Sequence, residues 1–140
     1  MNKTDFKNAQ TAAKILNTYS TIAVVGISDK PDRPSYDVAA FLRKNGYKII
    51  PINPKIKEVF GEKAYPDMMS APLNIDVVDI FRRSEDVGPI VDEAIKKGAK
   101  AVWMQLGVIN DEAARKASAA GLDVVMDLCM KHEYKILHDG

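Results

Sequence analysis

The sequence predicts an α/β fold: a three-layer sandwich with about five mainly parallel strands and helices on both faces. Three observations carry this expectation. Short apolar, β-branched runs alternate with longer segments of helical period along almost the whole chain, a pattern that requires right-handed crossovers and a parallel sheet. The runs are apolar at nearly every position, as expected of strands buried on both faces. Polar, glycine and cysteine residues gather directly after the runs, while the runs themselves stay apolar.

Taken in order, residues 6–19, FKNAQTAAKILNTY, place Phe6, Ala9, Ala13, Ile15 and Leu16 near one helical face. TIAVVGI is a strand that ends at Gly26. PSYDVAAFLRKNG is a helix with Pro34 and Ser35 at its start, Val38, Ala39, Phe41 and Leu42 inward, and Asn45-Gly46 at its end. YKIIPIN is the second strand, and KEVFGEKAYPDMM is irregular, with a short strand expected at 63–65. IDVVDIF is a further apolar strand. In SEDVGPIVDEAIKKG, Ser84 suits an N-cap, Val87 lies near the start and Gly98 ends the helix, while Gly88-Pro89 leaves the exact start open. AKAVWMQLG is a strand and loop. NDEAARKASAAG is a helix with Asn110 as cap, Asp111 and Glu112 against the positive dipole end, and Gly121 beyond its end. LDVVMD is the last clear strand, and LCMKHEYKIL suits a final short helix.

A chain of 140 residues, without repeats or low-complexity segments, suits one domain over 1–140, with 1–19 as an N-terminal helix. Hydrophobic residues at 46% and charged residues at 28% are ordinary for a soluble globular protein. A net charge of +1 argues against nucleic-acid wrapping but permits a local basic pocket. The lone Cys129 excludes an internal disulfide framework and a multi-cysteine zinc site. Residues 1–20 carry Lys3, Asp5, Lys7 and Lys14 and no apolar segment, and no run approaches the ~20 residues of a membrane span. A cytoplasmic location without membrane contact is therefore expected.

In open α/β sheets, ligands bind beyond the carboxyl ends of the strands, where the strand order reverses. The residues that follow the strands are Gly26-Ile27-Ser28 with the 29–35 loop, Asn53-Pro54-Lys55, Phe81-Arg82-Arg83-Ser84, Gln105-Leu106-Gly107 and Asp127-Leu128-Cys129. Gly26 permits close backbone approach, the helix starting near Ser35 offers unpaired amides, and Arg33 supplies a charge-assisted donor. A solvated charged loop is the bland alternative, because one glycine is a weak signal where dinucleotide loops carry three. NAD sites place an acid at the end of the second strand to accept from the ribose. Here Lys55 can only donate, which suits a phosphorylated ribose such as that of NADP or coenzyme A. Phe81 and Arg82 or Arg83 add a ring and more cations at the same edge, although Phe81 suits a core position equally well.

The segments VVGISDKPDRPSYDVAAFLRKNGYKIIPINPK, DVVDIFRRSEDV and AVWMQLGVINDEAARKASAAGLDVVMDLCMKHEY closely resemble the small stand-alone CoA-binding proteins. These in turn resemble the N-terminal CoA-binding domain of the succinyl-CoA synthetase α subunit and of ADP-forming acyl-CoA synthetases. The similarity spans roughly residues 20–134. It implies a Rossmann-like domain with coenzyme A across the strand ends. Gly26, Ile27 and Ser28 would contact the pyrophosphate and pantetheine region, and Arg33 and Ser35 would bind phosphate. Asn53, Pro54 and Lys55 would bound the adenosine, with Lys55 near the 3′-phosphate. Phe81 and Arg82 would flank the nucleotide, and Gln105, Leu106 and Gly107 would follow the pantetheine arm. Cys129 matches a D-x-C element of these proteins and could form a mixed disulfide with the CoA thiol; a buried structural thiol is the alternative.

The larger synthetases use a phosphohistidine and an ATP-grasp portion, and this sequence matches neither. His132 and His138 lie outside any matching motif, and Asp79 and Asp127 are expected to cap or pair locally. A non-catalytic module binding CoA or acyl-CoA is therefore expected. An NADP- or other nucleotide-dependent enzyme and an accessory subunit of a synthetase-like complex are the alternatives, and a homo-oligomer is open.

Overall fold

The structure is a computed structural model that describes residues 3–139, with side chains from residue 7 onward. It opens with helix α1 (Lys3–Thr18). The expected burial of Phe6 falls on a side chain outside the described residues. Ala12, Ile15 and Leu16 form the buried stripe, while Ala9 and Ala13 sit half-buried beside it.

After α1 come β1 (Thr21–Val25), α2 (Pro34–Lys44) and β2 (Lys48–Ile52). A small hairpin follows, β3 (Glu58–Val59) and β4 (Glu62–Lys63), then β5 (Val77–Ile80), α3 (Val87–Lys97) and β6 (Ala101–Met104). The chain continues through α4 (Asp111–Ala119), β7 (Asp123–Val125) and α5 (Met130–Asp139). The main sheet has five strands in the order β2-β1-β5-β6-β7, every pair parallel. This is the Rossmann-like sandwich, and its order reverses between β1 and β5, where a ligand crevice is expected.

Alternation along each strand explains why the runs are apolar throughout. Ala23, Val25, Val78, Ile80, Val102 and Met104 face α3 and α4. Ile22, Val24, Val77 and Trp103 face the layer of α1, α2 and α5. Pro51 is tolerated because β2 is an edge strand. Its carbonyl accepts from Tyr65 N–H at 3.0 Å, and Asn53 N–H reaches Tyr65 O at 2.9 Å, so 64–65 covers that edge.

Two local expectations change. The strand expected at 63–65 is instead the β3–β4 hairpin, with Tyr65 making an isolated parallel bridge to Ile52. Its two-residue turn has positive φ at Phe60 (58°) and Gly61 (73°), the geometry that matches strand twist. Phe60 tolerates this while packing on Tyr36, ring centroids 4.7 Å apart. Ser84 does not cap α3; residues Ser84–Asp86 form a 3₁₀ turn ahead of it. The Ser84 hydroxyl instead accepts from Ile109 N–H at 2.9 Å, and its carbonyl accepts from Asn110 Nδ2 at 2.9 Å. The end of β5 is thereby stitched to the loop after β6. Asn110 does cap α4, accepting from Ala113 N–H at 3.0 Å, and Gly98 ends α3 in the left-handed conformation at φ 83°.

No helix among the described residues is long and apolar enough to cross a membrane.

Candidate functional site

A cavity of about 960 Å3 opens over the strand ends at the β1/β5 switch. Its floor begins at Gly26, with φ +88°. A Cβ there would lie 2.4 Å from Phe81 O and 2.8 Å from Arg82 Cδ. The glycine is required first by the close passage of the β5 end, and only then by any ligand. Gly26 N–H reaches Ile52 O and Phe81 N–H reaches Val25 O, both at 2.9 Å, so three strand ends lock together beneath the cavity.

The loop from β1 to α2 is held by its own serines. Ser28 N–H donates to Ser35 Oγ at 2.9 Å, and Lys30 N–H donates to Ser28 Oγ at 3.0 Å. Ser35 is buried but still lines the cavity. Arg33 occupies the N-cap position of α2 and gives the helix no side-chain cap, and Pro34 at the first position has no N–H to satisfy. The orphan amides of that first turn and the helix dipole suit an anion. Lys30, Arg33, Arg82 and Arg83 all line the same cavity. Arg83 is partly neutralised by Asp86 at 3.1 Å and Glu85 at 3.4 Å.

The opposite wall is Phe81, Gln105, Leu106, Val108 and Cys129. Gln105 is buried, its Oε1 accepting from Met130 N–H at 3.1 Å at the start of α5. Trp103 Nε1 donates to Leu128 O at 2.8 Å, which fixes the segment that carries Cys129. Cys129 itself is a half-buried free thiol.

Of the residues singled out in the sequence, Gly26, Ser28, Arg33, Ser35, Phe81, Arg82, Gln105, Leu106 and Cys129 meet in this cavity. Asn53 and Pro54 line a smaller adjoining cavity of about 270 Å3, which shares Gly26, Arg82 and Asp86 with the larger one. Three further residues stand apart from both linings. The Ile27 side chain is core, and its carbonyl is taken by Asn53 Nδ2 at 2.8 Å. Lys55 is exposed and lines neither cavity; its N–H closes an Asx turn on Asn53 Oδ1 at 2.9 Å. Gly107 also lines neither, and its N–H donates to Asp127 Oδ1 at 2.7 Å. Asn53 and Asp127 are thus the ties between neighbouring strand-end loops.

Sequence reasoning passed over Lys30, Val108 and Asp86 as lining residues. Lys30 sits in the predicted phosphate loop, so its charge was a usable signal. Val108 and Asp86 lie on the two segments that the Ser84 bonds join, a contact between distant parts of the chain.

Asp79 is the other surprise. It does not pair locally: it is fully buried on β5 between Val24 and Trp103, and neither carboxyl oxygen has a hydrogen-bond partner. Burial pushes its carboxyl well above the usual carboxylate range. Strand alternation puts it on the face that carries Phe81, one step deeper than the cavity wall. Asp127 does pair, and adopts φ 64° to do so.

Residues 20–135 match the family described as CoA binding domain. An uncharacterized protein of Bacillus subtilis, YneT, is 42% identical over 84% of this chain and 87% of its own length. A structure of a hypothetical protein from Pyrococcus horikoshii superposes with a TM-score of 0.88 at 43% identity, covering 92% of this chain and 91% of that one. An ADP-forming acetate–CoA ligase of Archaeoglobus fulgidus is 25% identical over 83% of this chain, but only 17% of that much longer protein is covered.

Proposed function

The chain belongs to the CoA binding domain family, and from that premise we propose that it binds coenzyme A, free or acylated, without catalysing a reaction on it. One observation carries this reading: the Gly26 backbone, the uncapped α2 start and four cationic side chains converge on a single cavity with Cys129 in its far wall. The pyrophosphate is assigned to the α2 start, within reach of Arg33, the Ser35 hydroxyl and the first-turn amides. The adenosine extends past Arg82 into the smaller cavity between Asn53, Pro54 and Ile90. The pantetheine arm runs along Gln105 and Leu106 toward Cys129. His132 and His138, the chain's two histidines, do not line the larger cavity, which favours binding over acid–base chemistry. The synthetase-like relatives favour a synthetase-like partner as the next point of contact.

Cys129 adds a reversible covalent option. Its thiolate attacks a CoA-containing disulfide, the protein–CoA bond forms, and the other thiol leaves, so no external oxidant is consumed.

Thermal unfolding against equal concentrations of CoA, NADP and NAD tests the reading. At a hundredfold excess over Kd the stabilisation is about 2.7 kcal/mol, read as a rise of several degrees with CoA. A larger shift with NADP would replace CoA as the ligand. Intact mass after incubation with CoA disulfide should show a CoA adduct that reduction removes and that Cys129→Ser lacks. Absence of the adduct in the parent protein would leave the thiol structural.

A further inference from the structure

A second cavity, of about 800 Å3, lies just beyond the thiol end of the proposed CoA site. Its walls come from α1, the loop after β6, the edge strand β7 and α5: apolar Ala9, Ile109, Val124, Met126, Leu128 and Ile136, with Lys7, Asp127 and Glu133 adding charge to the same lining. The two cavities are neighbours along the chain at two places. Val108 lines the first and Ile109 the second; Cys129 lines the first and Leu128 the second. The same two loop segments, 108–109 and 128–129, therefore contribute to both linings. Ile109 and Ile136 are 48% and 57% exposed, and Leu106, on the first cavity's rim, is 69% exposed. Two large apolar side chains this exposed on the second cavity, with a third on the rim of the first, mark a binding surface.

The second cavity is framed by a polar clasp. The Asn8 carboxamide donates to Met126 O at 2.8 Å and accepts from Met126 N–H at 3.1 Å, closing the edge beyond β7 with a side chain from α1. Asp127 ties the dividing loop through Gly107.

We infer that this cavity receives the aliphatic acyl group of a CoA thioester, so that the preferred ligand is an acyl-CoA of medium chain length rather than free CoA. The inference rests on the CoA reading above and names the ligand class for that site. A pantetheine arm ending beside Cys129 delivers its sulfur to the dividing loop, and an acyl chain continuing in the same direction crosses Leu106 and lies between Ile109, Leu128 and Ile136. Each methylene fully buried there strengthens binding about fourfold.

Calorimetric titration of the full chain with CoA, acetyl-, butyryl-, hexanoyl- and octanoyl-CoA tests this. Affinity should rise along the series, with hexanoyl-CoA at least about tenfold tighter than CoA. Ile136→Asp and Ile109→Asp change exposed positions that the fold does not need; each should cut the preference to within about twofold while leaving the Kd for free CoA unchanged. A flat series with CoA binding intact would overturn the inference and leave the CoA reading standing. A preference unaltered in both variants would also overturn it. So would a flat series in a protein whose sedimentation shows a dimer that Ile136→Asp dissolves, because the apolar wall would then belong to a second copy. Failure of CoA and every thioester to bind would remove the CoA reading itself.

Discussion

The two cavities that share the 105–109 loop differ in their linings. The larger is polar where it meets α2: two serines, an uncapped helix start and the charges of Lys30, Arg33, Arg82 and Arg83. The second sets alanine, valine, leucine, isoleucine and methionine beside Lys7, Asp127 and Glu133. They also differ in how they are held. The first is defined by backbone, through Gly26 and the bonds joining three strand ends. The second is defined by side chains packed across an edge strand, with Asn8 as the polar clasp. Such a division suits a ligand with an anionic head and an apolar tail. It also implies that the head site is intolerant of small changes, whereas the tail site can change shape with its side chains.

The largest expected effect lies at the floor of the polar cavity. Gly26→Ala places a methyl group on Phe81 O and forces a left-handed conformation, at a combined cost of about 3 kcal/mol or more. Urea denaturation should show a lowered midpoint, and an unchanged midpoint would mean that β1 and β5 can separate freely. Arg33→Ala comes next. Loss of a charge-assisted phosphate bond should weaken CoA by about 1.5–3 kcal/mol, with stability nearly unchanged. Equal affinity in the variant would place the pyrophosphate elsewhere.

Asp79, fully buried beneath the first cavity, should show itself through pH. Its native pKa is raised, so the native state binds the proton more tightly than the unfolded chain does. The stability this allows is complete below the unfolded value of about 3.9 and is lost as pH rises toward the native pKa. Asp79→Asn removes the penalty of ionisation and should stabilise the protein at neutral pH by about 1–3 kcal/mol. That gain should close as pH falls to about 4. A gain independent of pH would show that ionisation of Asp79 is not its source. The smallest effect is expected at Lys55, exposed and outside both strand-end cavities. Lys55→Ala should change CoA affinity by no more than about 1 kcal/mol, and CoA and dephospho-CoA should differ little in this protein. A tenfold difference between the two ligands, abolished by Lys55→Ala, would place the 3′-phosphate at Lys55.

Much of the fold was legible because strand burial on both faces leaves an unbroken apolar run, and such runs need no partner to be recognised. Asn110 and Gly98 were legible for the same reason, since caps act within one turn. Ser84 looked like a cap and was not, because Ile109, 25 residues away, claimed its hydroxyl. Site residues directly after strands were found by position alone. Lys55 and Gly107 follow the same rule but line neither strand-end cavity; what position alone did not show is that their N–H groups bond to Asn53 and Asp127.

The sequence by itself determined the alternation of strands and helices, the parallel sheet and the placement of charge after the strands, since each depends on periodicity or on adjacent residues. Tertiary structure alone decided that Gly26 must yield space to Phe81, that Asp79 would be buried without a partner, and that Ala9, Ile109 and Ile136 would wall a second cavity. Those outcomes depend on which distant segments the strand order brings within a few ångströms, and local spacing does not encode that distance.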